Sequence, residues 1–274
     1  MSSTPQEVPT SAETFEVDSG PSRDPLAQRI MAILEACAAT WKPVTLTELV
    51  ESTGLAKSTV HRMSWKLVEL GMLQHTEEGF LIGNKMLALA NANPVMAEVR
   101  ALAMPRLLDL QRIAGASQLA VLSDGSALII DGIYTSQMRA QRLIGRALPL
   151  HSTAVGKALL ASLPPSERER YLNPALLVPN TVKTIVQPAL LRRHLEGIVN
   201  AGVAVSNEEH QLGVVGIAAA VRVREGTTVA IGCVGSSSNP AMLTSHRAVR
   251  ESAAYLKRAF EENEAARRRL TVRD

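Results

Sequence analysis

Between Leu55 and Gly71 the chain reads LAKSTVHRMSWKLVELG, with Lys57, Ser58, Thr59, His61, Arg62 and Lys66 set among apolar residues at helical spacing. At about 100° per residue, Ala56, Val60, Met63, Ser64, Leu67 and Leu70 gather on one side of a helix. Ser58, Thr59, His61, Arg62, Trp65, Lys66 and Glu69 fall on the other. Such a face is chemically suited to nucleic acid. An arginine can make a bidentate pair with guanine, and lysines and hydroxyls suit phosphate oxygens. The same pattern also fits an ordinary solvated surface helix, so the decision passes to what surrounds it. Trp65 must find cover on a sugar-phosphate backbone or beneath a neighbouring element.

Other constellations carry less. Glu208, Glu209 and His210 are the most charged cluster in the second half of the chain. Neighbours on a strand point to opposite faces, so the two carboxylates cannot both address one substrate there. A structural role is expected, with Glu209 at the rim of a pocket. Ala154-Val155-Gly156-Lys157 echoes a phosphate loop, but lacks the earlier glycine and the Ser or Thr after the lysine. Gly235-Ser236-Ser237-Ser238 lacks the second glycine of a nucleophile elbow. The six histidines are scattered without the helical pairing of a zinc site, and Cys37 and Cys233 lie in apolar patterns that predict buried thiols. No catalytic, metal or cofactor residues are assigned.

The elements that must position the basic face follow from pattern. Residues 1–23 are rich in Ser, Thr, Pro and acidic residues, which predicts a flexible tail. Ile30, Ile33, Leu34 and Cys37 mark a first helix. Thr45 and Glu48 form a capping box for a second, which Gly54 ends. The third runs from Lys57 to Leu70 and stops at Gly71. Met72–His75 and Gly79–Ile82 then read as two strands around Thr76-Glu77-Glu78-Gly79. Three helices and a hairpin are the order of a winged helix-turn-helix, here 24–83. A linker helix is expected over 84–95, broken near Asn93-Pro94, and a second domain over 96–268, with a tail at 269–274. Within that domain, strands are expected at Ser117–Leu122, Ala127–Tyr134, Gln141–Ala147, Val203–Asn207, Val214–Val221 and Val229–Val234. Helices are expected near Val95–Ile113, Thr153–Ser162, Ser166–Leu172, Pro188–Asn200 and Ala241–Ala266. Hairpins mixed with helices make this an α+β domain with a largely antiparallel sheet.

Composition bounds the function. A chain of 274 residues has room for two cores. Three Tyr, three Phe and two Trp leave little for base stacking on single strands. The formal charge of +3 does not concentrate at the amino end: Asp24–Gly83 holds five basic and seven acidic residues, so charge placement matters more than charge sum. With no membrane-length apolar run and no signal-peptide pattern, the expected location is the cytoplasm.

The segment LTELVESTGLAKSTVHRMSWKLVELGMLQ, followed by GFLIGNKMLALA, resembles the amino-terminal domain of IclR-family transcriptional regulators. RALPLHSTAVGKALLASLP and GVAVSNEEHQLGVVGIAAAV resemble that family's effector-binding domain, in the same order. The resemblance covers roughly Asp24 to Phe260. It implies a DNA-binding winged helix, a linker helix that helps dimerise, dimers that pair into tetramers, and a GAF-like domain with a mixed or antiparallel sheet that binds a small metabolite. Carried over, it puts Leu148, Ala154, Val155, Ser206, Val214, Gly216, Gly232 and Val234 around the effector, with Glu209 at the rim. Gly216 stands where a cysteine is common, and Gly232 and Val234 where serines occur. The implied pocket is roomy and apolar, suited to an apolar or aromatic carboxylate. The expected function is a ligand-responsive regulator that represses a neighbouring catabolic operon at a near-palindromic operator. A sensing module acting through protein contacts is the alternative, and an enzyme a more distant one.

Overall fold

The computed structural model describes residues 25–136, 143–224 and 226–271, and the chain divides into two units, Met1–Ala92 and Asn93–Asp274. The flexible tail expected over 1–23 and the start of the strand expected at Gln141 lie outside the described residues.

The first unit contains α1 (Pro25–Ala38), α2 (Leu46–Thr53), α3 (Lys57–Glu69), β1 (Leu73–Thr76), β2 (Gly79–Ile82) and α4 (Asn84–Asn91). Thr45 caps α2 as its sequence predicts. The Glu48 amide donates to the Thr45 hydroxyl, and the Glu48 carboxylate accepts from the Thr45 amide at 2.7 Å. Gly54 closes α2 in the left-handed conformation at φ 66°, and Gly71 turns the chain out of α3 at φ 72°. The Met72 amide still bonds the Leu67 carbonyl, which is why β1 starts one residue later than expected. Val44 exchanges two 2.8 Å backbone hydrogen bonds with Phe80, adding a third short piece of strand to the hairpin. That approach requires Gly79, since a Cβ there would lie 2.5 Å from the Val44 carbonyl oxygen. Ile33, Leu34, Cys37, Leu49, Val60, Leu67, Leu73 and Phe80 are among the residues that fill the core.

The second unit contains α5 (Pro94–Ala114), β3 (Ala116–Ser123), β4 (Ser126–Tyr134), β5 (Ala147–Leu148), α6 (Ala154–Ser162), α7 (Pro165–Arg168), α8 (Pro188–Ala201), β6 (Ala204–Asn207), β7 (Val214–Arg224), β8 (Thr227–Ser236) and α9 (Ala241–Thr271). The strands form one sheet in the order β5-β4-β3-β8-β7-β6, with every described pair antiparallel. The fold is therefore α+β, as the pattern predicts, with no parallel pair among the described strands. Strand alternation splits the side chains between two cores. Leu119, Ile217 and Ile231 pack toward α5 and α9, whereas Ala120, Ala218 and Ala230 pack toward α6 and α8. Alanine at the centre of the second face, at Ala120, Ala218 and Ala230, lets α6 lie close to the sheet.

Two expected elements are shorter than their patterns. Of Gln141–Ala147, only Ala147 is strand in the described part, at the start of β5; Gly145 takes φ 82° in the turn before it. The helix expected over Ser166–Leu172 is one turn, α7, followed by a 3-10 turn at Glu169–Tyr171. Arg168 has a local task there. Its guanidinium donates to the carbonyls of Leu160, Ala161 and Leu163, closing the carboxy end of α6. No helix among the described residues is long and apolar enough to cross a membrane.

Candidate nucleic-acid interface and ligand cavity

On α3, Val60, Met63, Ser64 and Leu67 are buried, so the packed face is the expected one except at its ends. Ala56, the N-cap, and Leu70, beyond the last turn, are exposed. Lys57, Ser58, His61, Arg62 and Lys66 are exposed and Thr59 is half-buried, so the opposite face is open along its length. No side chain caps the amino end of α3, and the amides of Lys57 and Ser58 have no acceptor among the described residues. Free amides and the helix dipole both favour an anion at that end. Lys66 is less available than its sequence position implies, because its ammonium lies 2.7 Å from the Glu69 carboxylate. Trp65 packs on the hairpin. Its ring lies 4.7 Å from His75 and 6.0 Å from Phe80, centroid to centroid, leaving 39 % of the residue exposed. Glu77 and Glu78 are exposed at the hairpin tip, so this wing presents negative charge.

The second unit encloses a cavity of about 290 Å³ between the amino end of α6 and the sheet. Of the residues expected around an effector, Leu148, Ala154, Val155, Ser206, Val214, Gly216 and Val234 line it. Glu209 and Gly232 do not. A Cβ on Gly232 would lie 2.4 Å from the Ile217 carbonyl oxygen, so this glycine serves the approach of β7 and β8 rather than pocket volume. Gly216 does border the cavity, where a Cβ would lie 3.1 Å from that of Ala154.

Glu209 turns inward instead of standing at a rim. Its Oε1 accepts from the Lys157 ammonium at 2.6 Å, with both side chains buried, and from the Asn207 amide at 3.3 Å. Lys157 also lies 3.2 Å from His194 Nε2. Burial pulls the Lys157 ammonium below its usual range, against the attraction of Glu209. His194 is held below its ordinary 6.5 by burial and then by Lys157, so its neutral imidazole can accept the ammonium proton. The Thr181 and Thr184 hydroxyls bond the carbonyls of Glu208 and Glu209, fixing the same turn from a second side. Glu208 sits in the left-handed region at φ 58°. The turn so fixed carries His210 and Gln211 to the cavity wall.

Sequence reasoning passed over Ala116, Gln118, Tyr134 and Leu143 on the sheet side, and His210, Gln211 and Cys233 elsewhere. Only Gln118 left a signal, as an amide at an inward position of an apolar strand. Thr153 caps α6 by accepting from the Gly156 amide at 3.1 Å. The amides of Ala154 and Val155 have no acceptor among the described residues, and both residues line the cavity. His210 is held below 6.5 by burial and by His151. Ser206 donates to the Ser152 carbonyl at 2.6 Å. No group of three or more His, Cys, Asp or Glu that could hold a metal ion occurs among the described residues.

Comparison with known proteins bears on both sites. Residues 26–77 match the IclR helix-turn-helix domain, and residues 95–259 match the bacterial transcriptional regulator IclR C-terminal domain. The Transcriptional repressor IclR of Escherichia coli K12 is 32% identical over 206 residues, covering 70% of this chain and 73% of the relative. The Acetate operon repressor of Salmonella typhimurium is also 32% identical, over 198 residues, with 68% and 70% covered. A crystal structure of an IclR homolog from Microbacterium hydrocarbonoxydans, complexed with 4-hydroxybenzoate, superposes with a TM-score of 0.77 at 25% identity, covering 86% of this chain and 99% of that one. With a model of its family spanning more than half the chain, and an open basic helix and a ligand-sized cavity in the two matched regions, this protein belongs to the IclR family of transcriptional regulators.

Proposed function

We propose that the chain is a ligand-responsive repressor that binds a near-palindromic operator as a dimer, reads it with α3, and senses an apolar or aromatic monocarboxylate in the cavity of its second unit. The observation that carries the ligand reading is the pair of unsatisfied amides at Ala154 and Val155, facing a cavity whose wall also carries the apolar side chains of Leu143, Leu148, Val214 and Val234. Helix amino termini favour carboxylates, and the apolar walls favour a hydrocarbon frame. The 4-hydroxybenzoate held by the Microbacterium homolog is a ligand of this kind, and the two relatives from Escherichia coli and Salmonella typhimurium are named as repressors.

In the DNA reading, Arg62 addresses a base edge while Lys57, Ser58, Thr59 and the free amides of α3 hold phosphates; His61 and Lys66 flank them. Two such helices in a dimer would meet half-sites about one helical turn, roughly 10 base pairs, or a multiple apart. A catabolic operon beside the gene is the expected target. The ligand changes DNA affinity only if it binds one arrangement of the dimer better than the other. A mobility-shift titration with DNA from upstream of the gene and its neighbours tests this reading. Specific retention that Arg62→Ala abolishes and an aromatic carboxylate modulates supports it; no retention at any of these promoters favours a sensor acting through protein contacts.

A further inference from the structure

Among the described residues of the cavity wall, one buried polar side chain has no partner in the protein. Gln118 lies on β3, is only 3 % exposed and lines the cavity, yet its side-chain amide has no hydrogen-bond partner among the described residues. The other buried polar side chains of the wall are engaged: Thr153 with the Pro149 carbonyl and Gly156 amide, Ser206 with the Ser152 carbonyl. Gln118 is also flanked in register by glycine on both sides, Gly132 on β4 and Gly232 on β8. Neither glycine carries a side chain to pair its amide, and the Tyr134 ring folds over Gly132 on one side of it. A buried amide left without partners is costly, so an orphan amide facing an enclosed space points to a group that enters with the ligand.

We infer that Gln118 is the specificity residue of the cavity and that the effector is a monocarboxylate carrying an uncharged hydroxyl, which Gln118 pairs. This rests on the reading of the cavity as a carboxylate site. Several observations restrict the second group. Among the described residues the cavity lining contains no Lys, Arg, Asp or Glu, so these residues offer no counter-charge to a second full charge of either sign. The amino end of α6 supplies a partial positive charge of roughly half a unit, matched to a single carboxylate. A carboxamide both donates and accepts, and a hydroxyl answers both roles at one atom. A ligand lacking that hydroxyl leaves the amide unpaired in the bound state, which gives discrimination that apolar contact alone cannot give.

The test is calorimetric titration of the full-length chain with benzoate, 3-hydroxybenzoate, 4-hydroxybenzoate and terephthalate, repeated on Gln118→Leu and Gln118→Met, with a thermal melt to establish that each variant is folded. The expected result is that one hydroxy isomer binds at least about tenfold tighter than benzoate, and that terephthalate binds more weakly than benzoate. Both variants should then bind that isomer no better than they bind benzoate. If benzoate binds and neither hydroxy isomer gains, or if a folded variant keeps the preference, the assignment of Gln118 falls while the carboxylate site stands. If none of the four binds the wild-type chain, both fall together. Should neither variant fold, the wild-type ranking alone decides.

Discussion

Replacing Lys157 by methionine removes one half of an ion pair whose members are among the most enclosed charges of the second unit, with side-chain exposures of 0 % and 8 % and an N–O distance of 2.6 Å. The volume at the site hardly changes, so the loss is electrostatic. One carboxylate oxygen of Glu209, Oε2, already lacks a partner, and the substitution takes the ammonium from the other, leaving only the Asn207 amide. Breaking a buried pair in this way costs about 3–5 kcal/mol, on the order of 6–20 °C in Tm for a unit of this size. Denaturant titrations of the wild type, Lys157→Met, Glu209→Leu and the double variant at pH 5.5 and 8 measure the coupling. The double variant should recover most of the loss, because apolar side chains replace a buried pair at little net cost. A single-variant deficit below about 1 kcal/mol, or a double variant no more stable than Lys157→Met, would refute the claim that this pair acts as a coupled buried unit.

Arg62→Ala should abolish discrimination between operator and unrelated DNA. Lys57→Ala should weaken both and lower the slope of log K against log salt by about one per contact, read by fluorescence anisotropy over a salt series. Lys66→Ala should have the smaller effect, since Glu69 already holds its ammonium. Gly79→Ala forces a Cβ against the Val44 carbonyl at a φ of 140°, and should destabilise the winged unit by about 2 kcal/mol or more, seen as a lower midpoint in urea. His194 and His210 are both held below 6.5 in the folded state, so the stability tied to their neutral forms is present above pH 6.5 and is lost as pH falls through their folded values. Calorimetric melts between pH 7.5 and 5 should show Tm declining over that range, less steeply in a His194→Gln, His210→Asn double variant.

Much of the fold is legible because its signals are local. The Thr45 and Glu48 capping box, the glycines at 54 and 71, and the Asp124-Gly125 turn, with φ of 46° and 74°, each fix an element boundary from a few adjacent residues. The cavity is less legible because its walls converge from β3, α6 and β7, far apart in the chain. Glu209 looked like a rim residue in a run of charges, but its orientation is set by Lys157, 52 residues away. Gly232 looked like absent bulk in a pocket, but the space beside it is taken by β7, which no pattern in β8 announces. Trp65 found its cover on His75 and Phe80 across the hairpin, a choice that helix periodicity alone left open.

The alanine and glycine face of the sheet bears on how such a sensor can change its ligand. With α6 seated directly on Ala120, Ala218 and Ala230, most of the sheet beneath the helix is backbone and methyl groups. Enlarging any of these residues would lift the helix whose amino end is proposed to hold the anion, so drift at those positions is penalised through folding before it reaches recognition. The positions left free to vary are those whose side chains enter the cavity without supporting α6, chiefly Gln118, Val214 and Val234. Divergence in ligand preference among proteins built this way should therefore concentrate at a few wall positions while the anion-holding end stays fixed, letting one scaffold move between related acids by single substitutions.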